Sequence, residues 1–405
     1  MRCFILAHFF LIFYSCQSQH PEKAAELRYP SVNPVAPVAH LSQKEKDYYA
    51  ARIEPLYEKM LLRTGFNGEI LMAKNGDVVF EDYHGTINFK THEPITSNSV
   101  FHVASVSKTF TAMTVLRLME QKKLDINDLV SKYLPGFPYP GVTIKHLLSH
   151  RSGLPEYLHF LDPTTVIVSR KKNKSGRWVT TRKVVRNVTD DQSFMTNEGL
   201  LQYLIEKHPP ALPPGRAFNY CNTNFALLAL IVEKVTQEPF PQYMKDSVFN
   251  RLGLKDTYIF SYHDVSNYIP SYSGSRPWML EKPDLVYGDK NVYTNVRDLL
   301  AWDQALYNGS VVSQATLDMA YTPYSNEKRS KHNYGLGWHL LINPPNPEVV
   351  YHNGKYHGNN AVFLRLTSDM ATLIILGNKY NGNIYKAKDL SSVFTNKIDT
   401  TELKN

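Results

Sequence analysis

The chain has 405 residues, 43% hydrophobic and 20% charged, a balance that is ordinary for a globular protein of up to three domains and excludes a chiefly disordered chain. The net charge of +8 does not indicate an anionic partner, because it is matched by a cluster of cations with no acidic residue among them: Arg170, Lys171, Lys172, Lys174, Arg177, Arg182, Lys183 and Arg186. Of the three cysteines, only Cys221 lies outside the N-terminal segment, which excludes a disulfide within the body of the protein.

The N-terminus has the layout of a secretory signal. An apolar run from Phe4 to Tyr14 follows a basic start and is too short to span a bilayer comfortably. Cys16 directly after Ser15 resembles a bacterial lipoprotein signal, although the two aromatic residues ahead of Ser15 depart from the usual pattern. We predict a signal over residues 1–16, a lipid anchor at Cys16 and a place in a bacterial cell envelope, facing the periplasm or in the outer membrane. Secretion without a lipid is the alternative, and the proline-bearing residues 17–42 read as a tether.

The first folded elements are a helix and a hairpin. Periodicity favours a helix from Gln43 to about Leu62. Two strand-like runs, 68–74 and 77–83, then flank Asn75-Gly76, which is a strong signal for a β-hairpin.

Ser105 follows at the predicted first turn of a helix that continues to Met119. Apolar residues on nearly every side of this helix indicate that it is buried. Ser105 and Lys108 are three residues apart and therefore share one face. The positive end of the helix dipole favours an alkoxide at Ser105 and disfavours the charge of Lys108, so the pair could form an activated nucleophile. The alternative is an N-capping serine beside a solvated lysine.

The middle of the chain reads as helical with one basic insertion. Short helices are predicted over 124–130 and 142–150. Residues 161–192 interrupt the helical pattern, and we interpret them as an inserted hairpin or loop that turns at 174–177. A solvated loop is favoured over a nucleic-acid surface, so no nucleic-acid partner is expected.

The remaining elements define the fold class. We predict a helix from Asn197, a second buried helix over 225–232, a helix capped by Thr294, and then strands at 334–340, 349–352, 361–366 and 371–376. Strands at both ends and helices between them predict an α+β (α/β sandwich) fold. Its antiparallel sheet is built from both chain ends, with helices packed on it and a helical region inserted. We expect one folded domain over 43–395, a tail over 396–405 and the site at the junction of sheet and helices.

Three motifs then line up in chain order: SVSK at Ser105, YCN at Tyr220 and HNG at His352. Together they resemble the class C β-lactamase and D-alanyl-D-alanine carboxypeptidase family of serine hydrolases, over residues 44 to about 395. Other stretches support the resemblance: LLSHRSGLP at 147–155, Pro214-Gly215 and LGLKDT at 252–257. The resemblance implies a β-lactamase/transpeptidase-like fold.

The resemblance also implies catalytic roles. Ser105 would attack a carbonyl carbon and form an acyl-enzyme, while Lys108 and Tyr220 would accept its proton and return one to the leaving group. Which of the two is the base stays open. An ammonium beside a phenol would favour the phenolate of Tyr220. No HExxH or Cys/His cluster indicates a metal, and no cofactor is expected.

Substrate binding is implied for four further residues. Asn222 would bond the substrate amide or the lysine. The backbone N–H groups of Ser105 and Lys355 would form an oxyanion hole, with Gly354 allowing a close approach. His352 stands where β-lactamases of the class carry a lysine.

The histidine is the main departure from the pattern, and it leads to a prediction about substrates. With an unperturbed pKa of about 6.5, His352 would lose its charge, and its hold on a substrate carboxylate, between about pH 6 and 8. We therefore predict a weak β-lactamase that acts better on a small ester, a D-amino-acid peptide or a cell-wall peptide. In the second motif Cys221 is either a packed small side chain or a lightly reactive thiol.

Two other functions remain open on the same residues. One is a non-catalytic penicillin- or peptidoglycan-binding envelope protein on the same fold, which would be free to lose Ser105, Lys108 or Tyr220. The other is an envelope protein that binds a polyanion through residues 169–186.

Overall fold

The computed structural model describes residues 39–161, 164–173, 175–186, 194–328, 330–343 and 346–395. The predicted signal, the lipidation site Cys16, most of the tether and the tail lie outside these residues. Within them, no helix has both the length and the apolar content required to cross a membrane.

The α-helices predicted to start at Gln43 and Asn197 begin at those residues. In chain order the α-helices are α1 (Gln43–Met60), α2 (Ser107–Glu120), α3 (Ile144–Leu148), α4 (Tyr157–Leu161), α5 (Asn197–Lys207), α6 (Asn222–Thr236), α7 (Phe240–Met244), α8 (Asn250–Leu252), α9 (Val296–Tyr307) and α10 (Gln314–Ala320). Helix α1 starts at the predicted residue because Ser42 and Glu45 form a capping box, in which each side chain bonds the other's backbone N–H.

The strands are short except in the main sheet. In chain order they are β1 (Gly68–Lys74), β2 (Asp77–His84), β3 (Thr86–Asn88), β4 (Glu93–Pro94), β5 (Phe101–His102), β6 (Thr164–Lys172), β7 (Trp178–Arg186), β8 (Tyr258–Ile259), β9 (Tyr272–Ser273), β10 (Arg276–Pro277), β11 (Val292–Thr294), β12 (His332–Tyr334), β13 (His339–Asn343), β14 (Asn346–Tyr356), β15 (Asn359–Leu366) and β16 (Ala371–Gly377).

The main sheet joins the two ends of the chain, as predicted. Its strand order is β12-β13-β14-β15-β16-β1-β2, and all neighbours are antiparallel. The Asn75-Gly76 hairpin is confirmed: Lys74 pairs with Asp77, and both turn residues have positive φ.

Two hydrophobic cores cover the two faces of this sheet. Along β16, Leu373 and Ile375 pack with α1 and the C-terminal 3₁₀ segment Ala387–Phe394, whereas Ile374 and Leu376 pack with the inserted helical region. The alternation follows from the two-residue period of a strand. A sheet covered on both faces is the predicted sandwich, and α2 and α6 lie in the core on the helical side.

The basic insertion forms a hairpin. Strands β6 and β7 pair along their whole length, from Thr164↔Arg186 to Lys172↔Trp178. Its described tip is exposed, and Trp178 lies beneath the cations of Arg170 and Lys172. The prediction of a hairpin is therefore confirmed, while polyanion binding stays a prediction.

The predicted helix over 124–130 is wrong. Only Val130–Lys132 forms a 3₁₀ turn. Asp125 Oδ1 accepts from the Asn127 N–H at 2.8 Å, and Asp128 Oδ2 accepts from the Asp125 N–H at 3.1 Å. Acidic side chains thus bond the N–H groups of a local turn.

Three further expectations are corrected near the sheet. The segment 334–340 is two strands rather than one. It breaks at Gly337, whose φ is +83° and which packs so tightly on Ala112 that an added Cβ would lie 2.3 Å from the alanine Cβ. Helix α9 is capped by Asn295, which accepts from the Asp298 N–H at 2.8 Å, and not by Thr294. The strand predicted over 349–352 continues past His352 to Tyr356, so Gly354 lies within a strand.

Candidate active site

Ser105 lies in a sharp turn directly ahead of α2. It is the middle residue of the 3₁₀ turn Ala104–Val106, two residues before α2 begins at Ser107. Ala104 has a φ of +48°, a left-handed conformation that is uncommon for a residue with a side chain and tends to occur at functional sites. Ser105 is half-buried, whereas its neighbours are buried.

Lys108 is fully buried and directed at the serine. Its Nζ lies 2.9 Å from Ser105 Oγ, 2.7 Å from Asn222 Oδ1 and 2.8 Å from the Asp289 carbonyl oxygen. The predicted common face is therefore confirmed. Burial lowers the pKa of Lys108 to about 8, although the carboxylates of Asp289 and Glu156 oppose this shift. Near neutral pH a substantial minority of Lys108 is therefore an amine that can accept a proton.

Tyr220 lies close to both the serine and the lysine. Lys108 Nζ is 5.1 Å from the centre of its ring, and a hydrogen bond joins its side chain to Ser105. Burial raises the pKa of Tyr220 and outweighs the effect of that hydrogen bond. The expectation that the ammonium would favour a phenolate is therefore wrong: desolvation keeps Tyr220 a phenol at neutral pH.

Asn222, the first residue of α6, is hydrogen-bonded to Lys108. Its Oδ1 accepts from Lys108, while its backbone N–H and its Nδ2 donate to Glu156 Oε2 at 2.6 and 3.1 Å. Of the two predicted partners, lysine and substrate amide, the structure places the lysine against Asn222.

Strand β14 closes the site opposite the serine turn. A Cβ added to Gly354 would lie 2.1 Å from the Val103 carbonyl oxygen, so only glycine allows this strand to lie against the turn. Lys355 follows, with an exposed side chain whose ammonium lies 4.7 Å from the centre of the Tyr380 ring. The use of the Ser105 and Lys355 N–H groups as an oxyanion hole stays a prediction.

His352 is buried and neutral. Its Nδ1–H donates to the Asn353 carbonyl oxygen at 2.8 Å, and its Nε2 accepts from the Tyr334 hydroxyl at 3.3 Å. Burial, followed by His339 and Lys108, lowers the pKa of His352 well below its usual value. The expected loss of charge between pH 6 and 8 is therefore wrong, because the imidazole is uncharged throughout that range.

Two other buried histidines, His150 and His339, lie next to Tyr220 and His352 and are also neutral. The His150 ring lies 4.2 Å from the Tyr220 ring and the His339 ring lies 4.9 Å from the His352 ring, measured between centres. Burial is the main cause that lowers the pKa of both, to about 3 for His339.

The sequence motifs missed two partners of the lysine. Glu156 directly follows the Leu154-Pro155 stretch that supported the resemblance, so its position in that stretch was the available signal. Asp289 accepts from Lys108 through its backbone carbonyl oxygen. Every residue has this group, so the residue type could not predict the contact. Cys221 is buried, its Sγ lies 3.4 Å from the Leu154 carbonyl oxygen, and burial raises its pKa to about 12. These observations match the packed side chain rather than the reactive thiol.

The described residues contain no group of three or more side chains arranged to hold a metal ion. The chemistry open to the site is nucleophilic attack by Ser105, with Lys108 and Tyr220 moving protons.

Comparisons with known proteins show which family the chain resembles. The family model described as "Beta-lactamase" matches residues 67–390. Penicillin-binding protein 4* of Bacillus subtilis is 30% identical over 352 residues, which is 82% of this chain and 73% of the relative. A solved class C beta-lactamase has a TM-score of 0.67 at 18% identity, covering 89% of this chain and 99% of the other. A structure described as "EstCE1, a hydrolase with promiscuous acyltransferase activity" has a TM-score of 0.68 at 20% identity, covering 87% and 100%. The chain therefore belongs to the beta-lactamase family of serine hydrolases.

Proposed function

We propose that this protein hydrolyses an amide or ester bond through an acyl-enzyme on Ser105. One observation carries the proposal: a buried lysine with a lowered pKa lies 2.9 Å from the hydroxyl of a half-buried serine. Neutral Lys108 accepts the Ser105 proton as Oγ forms a bond to the carbonyl carbon. The oxyanion is held by the N–H groups of Ser105 and Lys355.

The tetrahedral intermediate that carries this oxyanion then collapses and expels the leaving group, which receives a proton from Tyr220. A water molecule then attacks the acyl-enzyme, and Ser105 regains its proton as the acid is released. The raised pKa of Tyr220 supports its role as a hydrogen-bond donor and Lys108 as the base.

We propose that neutral esters are turned over better than β-lactams. Typical β-lactamases carry a cationic lysine where this chain has His352. His352 is an uncharged imidazole, and His339 and His150 nearby are uncharged as well. A substrate carboxylate therefore finds no fixed cation at this position. A D-amino-acid or cell-wall peptide remains the other candidate, supported by the penicillin-binding relative.

A substrate panel tests this preference. Wild type and His352→Lys are compared on a chromogenic ester, a cephalosporin and a peptide ending in D-Ala-D-Ala. We expect wild type to favour the ester, and His352→Lys to gain on the carboxylate-bearing substrates relative to the ester. His84→Lys, an exposed position on β2, is the control. Efficient cephalosporin turnover by wild type would contradict the assignment.

The alternative is a non-catalytic penicillin- or peptidoglycan-binding protein. Its sign would be saturable binding of a penicillin or a peptidoglycan fragment with no covalent adduct on Ser105 and no turnover of any member of the panel. The intact bonds among Ser105, Lys108 and Asn222 favour the enzyme, because a pure binder has no need of a depressed lysine pKa.

We also propose export and lipid anchoring at Cys16 in a bacterial envelope, on the sequence of the first 16 residues alone. Cys16→Ser should release the protein from the membrane fraction or block its processing. Unchanged membrane fractionation with normal cleavage would contradict the anchor.

A further inference from the structure

A carboxylate that none of the three motifs contains is fixed beside the lysine. Glu156 lies in the loop before α4, and this loop is bonded to the start of α6. Thr223 Oγ1 donates to the Pro155 carbonyl oxygen at 2.6 Å, and the Tyr157 N–H donates to the same Thr223 Oγ1 at 2.9 Å. The two segments are therefore joined by hydrogen bonds on both sides of Glu156, which places its carboxylate next to the first turn of α6.

This carboxylate determines which way the Asn222 amide faces. A carboxylate only accepts hydrogen bonds, so the Asn222 group that lies 3.1 Å from Glu156 Oε2 has to be the NH₂. The same Glu156 oxygen accepts from the Asn222 backbone N–H at 2.6 Å. With both donors of Asn222 held on one side, its Oδ1 is left to accept from Lys108 Nζ at 2.7 Å.

Glu156 also acts on Lys108 through its charge. The groups that act electrostatically on Lys108, or that it acts on, are the carboxyl groups of Asp289 and Glu156, the phenol of Tyr220, the thiol of Cys221, the ammonium of Lys290 and the imidazoles of His150, His339 and His352. In this set only Asp289 and Glu156 supply negative charge, and both are buried or nearly so. Removing one of them should lower the affinity of the lysine for its proton.

We infer that Glu156 is a positioning residue: its carboxylate orients the Asn222 amide and, through it, holds Lys108 Nζ against Ser105 Oγ. This inference rests on the proposed function for its effect on rate, but its effect on Lys108 can be measured without turnover.

The test is Glu156→Gln, which keeps the shape and removes the charge. The Gln amide has one acceptor oxygen where Glu156 has two, so it cannot accept from both Asn222 and the Leu158 N–H, which Glu156 Oε1 accepts at 3.2 Å, and its NH₂ has to face one of these donors. We expect kcat/KM for a neutral ester, compared above about pH 9 where Lys108 is neutral in both proteins, to fall at least about tenfold, because small displacements of a catalytic group are costly. We also expect the limb of the pH profile that is controlled by Lys108 to move to lower pH by about one unit, since an opposite charge is lost.

The matched control is Glu233→Gln. Glu233 is a partly buried carboxylate on α6, and its Oε1 accepts from the Phe240 N–H at 2.8 Å and the Tyr287 hydroxyl at 2.7 Å, away from the lysine. It should change thermal stability without moving the pH profile. If Glu156→Gln behaves like this control, the role of Glu156 is structural and the inference is overturned.

A second variant tests the inference if Glu156→Gln fails to fold, and a second measurement tests it without any turnover of substrate. Glu156→Asp keeps the charge but withdraws it by one methylene, so it should slow the reaction while leaving the pH profile near that of wild type. An Asp variant as fast as wild type would contradict the positioning role. The Lys108 titration can also be followed by ¹³C NMR of labelled lysine. An inactive wild type would refute the proposed function, whereas an unshifted Lys108 titration in Glu156→Gln would refute this inference.

Discussion

The lowered pKa of Lys108 leads to a quantitative prediction about pH. A pKa of about 8 leaves roughly one molecule in ten with a neutral Lys108 at pH 7, whereas the ordinary value of 10.5 would leave about one in 3,000. The competent base at pH 7 is therefore roughly 300-fold more abundant, which corresponds to about 3 kcal/mol. If neutral Lys108 is the base, acylation should rise about tenfold from pH 7 and level off above pH 9.

The assay is the pre-steady-state acylation rate with a neutral activated ester between pH 6 and 9.5. Ser105→Ala provides the blank for spontaneous hydrolysis. The Lys108→Arg variant should acylate on the order of 10²–10⁴-fold more slowly than wild type. Its acylation rate should also not rise with pH, since a guanidinium does not release its proton in this range. A flat wild-type profile, or the same rise in Lys108→Arg, would refute Lys108 as the base.

Three further variants test the rest of the site. Tyr220→Phe should lower acylation by roughly 10²–10⁴-fold while the melting temperature changes little, because the ring is retained; rates on an activated ester and on an amide that both stay within a few-fold of wild type would remove Tyr220 from the proton path. Gly354→Ala should cost about 1–3 kcal/mol in urea unfolding and slow acylation, because its Cβ would lie 2.1 Å from the Val103 carbonyl oxygen; an alanine variant with normal stability and rate would contradict the close approach. Lys355→Gln should leave ester hydrolysis within about threefold of wild type, because only the backbone N–H of this residue is given a role; a large loss would assign a role to its side chain.

Local chemistry explains which elements the sequence predicted well. The Asn75-Gly76 hairpin and the start of α1 depend on residues a few positions apart, so their signals are complete within the segment. The antiparallel sheet made from both chain ends followed from the order of strand and helix patterns. The bond between Lys108 and Ser105 followed from their three-residue spacing.

The expectations that failed depend on contacts between distant segments. The strand break at Gly337 is made by its packing on Ala112 of α2, which no local pattern records. The neutrality of His352 and the high pKa of Tyr220 come from burial under side chains of other elements. Glu156 gains its role only because its loop is bonded to α6.

The identity of the nucleophile is tested most directly by covalent labelling. The protein is treated with a fluorophosphonate and, separately, with a penicillin, and the modified residue is located by peptide mass spectrometry in wild type and in Ser105→Ala of equal melting temperature. We expect one adduct, on Ser105, in wild type and none in the variant. An adduct on another residue, or undiminished labelling of Ser105→Ala, would contradict catalysis by Ser105.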